Sequence, residues 1–392
     1  MPIHANNVTG SATSTGSFSH IMKSGVNWRA AVSESLSNAG FGGGSGFDYT
    51  SGSSPVVTTN PSSLGATWIN TTSGELFIAT DISSSNNNWI GTAGTEVSTA
   101  PAYFGGRGLF GGGNGYSNVI DYITIATTGN AIDFGDLSVA RERIGACSDK
   151  TKGLFGGGNT GSNSNVIDYV TIATTGNASD FGDLTVSRYG SAACSDGTKG
   201  LFGGGDTGSV SNVIDYITIA TTGNAIDFGD LTASRGDPAA CSNGTRGVFG
   251  GGRTSTNVGR IDYVTIATTG NASDFGDLNH SRSQLAACSD GTKGVFGGGY
   301  DGIDYGTNTV DYVTIATTGN ASDFGNLRVA RARLSACSDG TKGVWGGGLY
   351  IDASYEASTN HIGYVTIATT GNAIDFGDLT VARTGLAACS GN

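Results

Sequence analysis

The sequence predicts an all-β fold: a six-bladed β-propeller closed by its C-terminal strand, preceded by a small N-terminal β-rich arm and module. Three observations predict it. The string TIATTGNA begins at Thr124, Thr171, Thr218, Thr265, Thr314 and Thr366. The cysteines recur in step at Cys147, Cys194, Cys241, Cys288, Cys337 and Cys389, separated by 47, 47, 47, 49 and 52 residues. A period of this length fits either a four-stranded propeller blade or a helical pair. Each unit is rich in Gly, Thr, Ile, Val and aromatics and lacks a 3.6-residue apolar spacing, which selects the β alternative.

Residues 1–60 read as an extended anchoring arm. Met1 to Gly25 is polar, Asn27 to Leu36 has the pattern of a short helix, and the Gly/Ser stretch Phe41 to Ser54 reads as flexible or ordered by a partner. Residues 61–100 read as a small β module. Thr67–Asn70 and Glu75–Ala79 form its hairpin, turning at Thr72-Ser73-Gly74, and a third strand covers Asn88–Gly91. Strands this short bury little by themselves, so the module is expected to pack on something larger.

Residues 101–392 read as the propeller. The first strand of each unit is Ala-Cys, as at Ala192 to Cys194, followed by a hairpin turn such as Asp196-Gly197, Asn243-Gly244 or Asp290-Gly291, dipeptides that favour positive φ. The second is Leu/Val-Phe-Gly-Gly-Gly, as at Leu201 to Gly205, with Trp345 in place of Phe in one copy. The third is Ile-Asp-Tyr-Val-Thr-Ile-Ala, as at Ile261 to Ala267, and the fourth runs from Asp274 to Arg282 and its equivalents. The repeat region opens at a second strand, Gly108 to Gly113, and the chain stops just after a first strand at Ala387-Ala388-Cys389. One blade is therefore expected to be split between the two ends, which removes the exposed edges of an open array.

Composition excludes several function classes. Of 392 residues 67 are Gly, charged residues make up 13%, and the net charge of −12 argues against a nucleic-acid partner. No apolar run is long enough for a membrane-spanning helix, and the polar start MPIHANNVTGSATSTG lacks a signal-peptide pattern. His4, His20, His280 and His361 are the only histidines, and none stands in a Ser/His/Asp or metal-ligand spacing. The Gly triplets lack the Lys-Ser/Thr of a phosphate loop. Neither an enzyme nor a cofactor is expected. The cysteines occupy one equivalent position per blade and read as small buried residues, too far around the axis to pair. Such free thiols fit assembly in a reducing compartment. Arg141, Arg188, Arg235, Arg282, Arg331 and Arg383 admit two readings, an anion-binding ring or ties from strand ends to loop carbonyls, of which the second is favoured. The Asp pairs of Asp-Phe-Gly-Asp read as turn and strand-end hydrogen bonding, since no calcium-loop spacing accompanies them.

The copies differ in two places. The connection between second and third strands grows from six residues at Asn114–Val119 to thirteen at Leu349–His361, and the triplet after each repeated Arg varies freely. In an up-and-down blade both emerge on one face, so diversity is confined to one side of a constant disc. Loops on a rigid frame are where binding concentrates, although repeats also drift most where packing constrains them least. The candidate binding residues on this face are Arg253, Arg260, Tyr300, Asp301, Asp304, Tyr305, Tyr350, Asp352, Tyr355, Glu356 and His361, with the tyrosines of the last two loops as recognition anchors.

The Gly cluster, Tyr, Phe and Arg of each unit, for example Gly111-Gly112, Tyr122, Phe134 and Arg141, resemble the kelch-type propeller repeat over residues 105–392. A Gly triplet replaces the kelch doublet, and Phe stands where kelch units carry Trp. The run TWINTTSGELFIATD…NNWIG resembles a short β module of tailed-phage virion and tail-fibre proteins. The two resemblances together imply a non-enzymatic, virion-associated attachment protein of phage tail or fibre type, assembled in the host cytoplasm. They imply an arm docked on other virion subunits, a homo-oligomeric assembly, and a variable face that meets a host-surface glycan or protein. The alternatives are a purely structural decoration, neck or fibre subunit, and a kelch-like protein-interaction scaffold. Since propellers serve many functions, the fold alone selects none of these.

Overall fold

The computed structural model describes residues 49–51, 66–70, 76–83, 86–91, 96–97, 106–302, 306–351 and 356–391. The chain divides into two units between Thr99 and Ala100, each described by itself.

In the first unit, Tyr49–Ser51, Thr67–Asn70, Leu76–Ser83, Asn86–Gly91 and Glu96–Val97 form one sheet in that order. The expected hairpin pairs Trp68 with Phe77, and Phe77 is fully buried. Two strands go beyond the sequence reading. Tyr49–Ser51, inside the stretch read as arm, lies parallel to Thr67–Asn70, and Glu96–Val97 adds an antiparallel edge. The expected helix at Asn27–Leu36 and the remainder of the arm lie outside the described residues.

The second unit is a six-bladed propeller of four-stranded antiparallel sheets. Blade one is closed as expected, one strand against three: Ala387–Gly391 pairs with Arg107–Gly111, which is followed by Val119–Thr124 and Ile132–Asp136. Blades two to six occupy residues 145–183, 192–230, 239–277, 286–326 and 335–378. Blade six carries an extra hairpin, Leu349–Ile351 with Glu356–Ser358, within its long connection.

Two strand boundaries depart from the sequence reading, both because of glycine. The second strand starts at Lys199 and ends at the first Gly of the triplet, Gly203, because Gly204 and Gly205 take φ of +69° and +105° and turn the chain out of the sheet. The fourth strand is only Ser273–Asp277, and Arg282 stands beyond it in the linker to the next blade. A register shift at Ile261/Asp262 and Gly276 at φ +145° bend that strand early.

Adjacent blades are tied at several radii. At the axis, the Cys-Ser of every first strand lines a central cavity of about 80 Å³. Each cysteine Sγ packs on a glycine of the next blade, as Cys147 does on Gly200, where a Cβ would stand 2.7 Å from the sulfur. This explains the Gly after every Lys or Arg at the start of the second strand. Serine hydroxyls link the first strands, Ser195 Oγ donating to the Ser148 carbonyl at 2.5 Å and Ser242 Oγ to Ser195 at 2.6 Å. On the constant face, Lys152 Nζ lies 5.5 Å from the Tyr169 ring centroid and donates to the Ile219 and Ala220 carbonyls of the following blade. Farther out, Phe and Trp side chains fill the layers between blades, where Phe110, Phe155, Phe202 and Trp345 are fully buried.

Candidate functional site

The variable face is built around the repeated arginines. Arg188 lies in the linker leaving blade two and is fully buried against blade three. Its Nη2 meets Asp215 Oδ2 at 2.9 Å and donates to the Phe202 carbonyl, and its Nη1 donates to the Val213 carbonyl. Arg141–Asp168, Arg235–Asp262, Arg282–Asp311 and Arg383–Asp121 repeat the pair at 2.7–3.0 Å. Each Asp is also capped from the previous linker, Asp215 by the Thr185 hydroxyl and Asp168 by the Ser138 hydroxyl. The arginines are therefore ties and form no open ring. Sequence reasoning foresaw the carbonyl partners and missed the carboxylates. The available signal was an Asp set between an aliphatic residue and a Tyr, as in Ile167-Asp168-Tyr169, in five of the six third strands.

Immediately after each arginine, the chain joins the neighbouring loop. Glu142 bridges Asn159, Tyr189 bridges Asp206, Gly236 bridges Arg253, Ser283 bridges Tyr300 and Ala332 bridges Leu349. The two variable segments thus meet on one face, as expected. The next residue of each triplet, Arg143, Gly190, Asp237, Gln284, Arg333 or Gly385, takes φ between +54° and +67°. These six residues close a backbone ring. Arg143 N–H donates to the Gly385 carbonyl at 2.6 Å, Gly190 to Arg143, Asp237 to Gly190, Gln284 to Asp237, Arg333 to Gln284, and Gly385 to Arg333 at 2.8 Å. We refer to this ring as the collar.

Side chains from the collar and loops form an ionic network. Arg143 Nη2 reaches Asp237 Oδ1 at 2.6 Å over Gly190, whose missing side chain leaves the passage clear. The Arg143 guanidinium also lies 4.3 Å from the Tyr189 ring centroid. Arg253 meets Asp237 through Nε and Asp206 through Nη2, both at 2.9 Å. Burial raises the Asp206 carboxyl's pKa, but the Gly208 N–H and Arg253 outweigh it and hold the group below its ordinary value. The two carboxylates are largely covered, at 12% and 7% exposure, while Arg253 keeps 31%. The network therefore presents guanidinium edges and an aromatic ring outward.

Of the sequence candidates among the described residues, Arg253 belongs to this network. Arg260 opens the third strand of blade four, exposed, with Nη1 donating to Thr232 Oγ1 at 3.3 Å. Tyr300 is half-buried beside the collar, and its carbonyl accepts from Asn257 Nδ2. Asp301 follows it, also half-buried. Tyr350 and Glu356 lie on the two strands of the extra hairpin, the first half-buried and the second exposed. His361 opens the third strand of blade six with Nδ1 3.3 Å from Asp375 Oδ1. Asp304, Tyr305, Asp352 and Tyr355 lie outside the described residues. Sequence reasoning missed Arg143, Tyr189, Asp206 and Asp237, whose signal was charged and aromatic residues at variable positions of successive copies.

The central cavity, at about 80 Å³, is well below the roughly 300 Å³ or more of a small-molecule pocket, so it has no room for a ligand of that size. Burial raises the pKa of the cysteine thiols around the cavity, to about 12 for Cys241 and Cys389, so they are neutral and unreactive in the fold. Among the described residues, no group of three His, Cys, Asp or Glu is placed to hold a metal. No protein-family model and no curated relative matches the chain.

Proposed function

We propose that this protein is a non-enzymatic attachment subunit of a virion of phage tail or fibre type, binding a host-surface glycan or protein through the variable face of its propeller. The observation that carries the reading is that both variable segments meet on one face, on a closed backbone ring. Tyr189, Tyr300 and Tyr350 stand there with the edges of Arg143 and Arg253, the residue types that dominate recognition surfaces. The virion assignment rests on the resemblance of Thr67–Gly91 to tailed-phage modules. In this reading the N-terminal arm docks on other virion subunits in a homo-oligomeric assembly. The six neutral, buried thiols suit assembly in the reducing host cytoplasm.

A purely structural virion role is the second reading. It is favoured by the mutual pairing of Arg143, Asp237, Arg253 and Asp206, which leaves few strong charges unspent. Binding of the labelled full chain to intact bacterial cells and to a glycan array separates the two. A variant has residues 300–309 and 349–361 shortened to the six-residue length of Asn114–Val119. Binding that is lost on shortening, with the β circular-dichroism spectrum retained, supports the attachment reading. Absence of binding by the unaltered chain overturns it in favour of the structural role.

A further inference from the structure

The junction between blades five and six departs from the other five in two coordinated places. Gly363 stands where Asp121, Asp168, Asp215, Asp262 and Asp311 provide the carboxylate, paired with Trp345 as Asp168 is with Phe155. Arg328 stands where Ser138, Thr185, Thr232, Asn279 and Thr380 cap that carboxylate. Both halves of the carboxylate-holding arrangement are thus altered together, while the arginine is kept.

That arginine, Arg331, is 1% exposed. Its Nη1 donates to the Gly347 and His361 carbonyls at 2.8 and 2.5 Å, and its Nη2 donates to the Trp345 carbonyl at 3.0 Å. Among the described residues, Nη2 has no carboxylate partner. A buried guanidinium bonded only to neutral carbonyls keeps its full charge uncompensated, and burial lowers its pKa to about 10.

Space for a Cβ at position 363 is retained. A Cβ on Gly363 would meet nothing closer than the Ile374 carbonyl oxygen at 3.4 Å and His361 Nε2 at 3.6 Å, which is ordinary contact. Trp345 does not fill the place, since its ring extends from Gly297 towards Gly343. His361 Nε2 is buried and has no hydrogen-bond partner. Arg328, 58% exposed, and Asp375 flank the same spot, 3.1 Å apart, and mark its approach from solvent.

We propose that the junction of blades five and six binds a small monovalent anion, a halide or a one- or two-carbon carboxylate, which Arg331 holds in the place an Asp side chain takes at the other five junctions. Those junctions set the geometry, with a carboxylate oxygen 2.7–3.0 Å from the guanidinium nitrogen. They also set the size, because room for one aspartate side chain admits formate, acetate, chloride or bromide and rejects sulfate. His361 Nε2, when protonated, supplies a second donor.

The test compares the full chain with Gly363→Asp, which supplies the carboxylate covalently. Urea unfolding is followed in sodium sulfate with formate or chloride added at constant ionic strength. In 100 mM formate the unfolding constant of the wild type is expected to fall about tenfold relative to the variant, as for a site with a dissociation constant near 10 mM. Equal responses of the two proteins would overturn the proposal. Bromide diffused into crystals of the unaltered chain tests the same point without a variant. An anomalous peak within hydrogen-bonding reach of Arg331 Nη2 supports the site, and bromide found only elsewhere refutes it.

Discussion

The five Arg–Asp junctions and the single Asp-free one give an internal control for the energetics of a buried charge. Arg188→Met removes the guanidinium from Asp215, which is fully buried and keeps only the Thr185 N–H at 3.2 Å and hydroxyl at 2.5 Å. Orphaning one member of a buried pair costs about 3–5 kcal/mol. Arg331→Met at the sixth junction orphans no carboxylate. It loses three carbonyl hydrogen bonds of 2.5–3.0 Å, each worth about 1 kcal/mol, and recovers part of that by relieving an unpaired buried charge. The expected cost is about 1–2 kcal/mol, so the two variants should differ by about 2–3 kcal/mol. Urea unfolding of the full chains in sulfate buffer, read by far-ultraviolet circular dichroism, measures this. The double variant Arg188→Met/Asp215→Asn should recover at least about 2 kcal/mol of the Arg188→Met loss, because the residual carboxylate is then neutral. The reasoning fails if Arg331→Met is as destabilising as Arg188→Met, or if the double variant recovers nothing.

The buried thiols should be silent towards a thiol-exchange chromogen at pH 8 and should all react once urea unfolds the chain. Their folded-state pKa values are raised, so between the unfolded thiol value and the folded one the unfolded chain binds fewer protons. Stability should therefore fall as pH rises above about 9, by up to about 1.4 kcal/mol per thiol per pH unit. His361 gives the opposite slope. Burial, then Arg331, lowers its pKa, so the unfolded chain takes up the proton first and stability falls as pH drops below about 6.5. His361→Gln should flatten that acid limb in urea titrations between pH 7.5 and 5, and an unchanged slope would assign the limb elsewhere. At the collar, Gly190→Ala places a methyl at φ +63° against the Asp237 carboxylate. It should cost about 1–2 kcal/mol and disrupt the Arg143–Asp237 bridge, with unfolding midpoints as the check.

Much of the fold was legible because a unit of 47 to 52 residues, present in six copies, reports its own strands, turns and closure. What sequence left out follows from how each feature is encoded. Asp168 and its equivalents sit in strands buried on both faces, where period-two alternation gives no direction to a polar side chain, so their partners required the neighbouring blade. The strand ends were misplaced by glycines whose φ angles, not their identity, decide where pairing stops. The tyrosines and acids of the two longest loops were chosen by composition, and composition missed the collar. Arg143, Gly190, Asp237, Gln284, Arg333 and Gly385 share a backbone conformation and no side-chain property, so no residue pattern marks them. The Asp-free junction was readable in principle, since Gly363 breaks an otherwise uniform Asp column and Arg328 a column otherwise filled by Ser, Thr and Asn.

The division of labour between backbone and side chain explains how one face can vary while the disc does not. The Cys–Gly contacts, the serine links, the Lys ladder and the Arg–Asp pairs all depend on side chains, and their positions are nearly constant. The collar is held by six main-chain hydrogen bonds, which any residue tolerating positive φ can supply. Side chains as unlike as Arg143, Asp237 and Gln284 therefore occupy equivalent places with the ring unbroken. The loops beyond it need only make one bridge to the linker, as Tyr189 does with Asp206 and Ala332 with Leu349, before diverging in length. A surface anchored this way can change its chemistry one blade at a time without disturbing the core. Asp237 shows the limit of that freedom, because its ties to Arg143 and Arg253 couple three loops, and substitution there should alter the shape of the face as well as its charge.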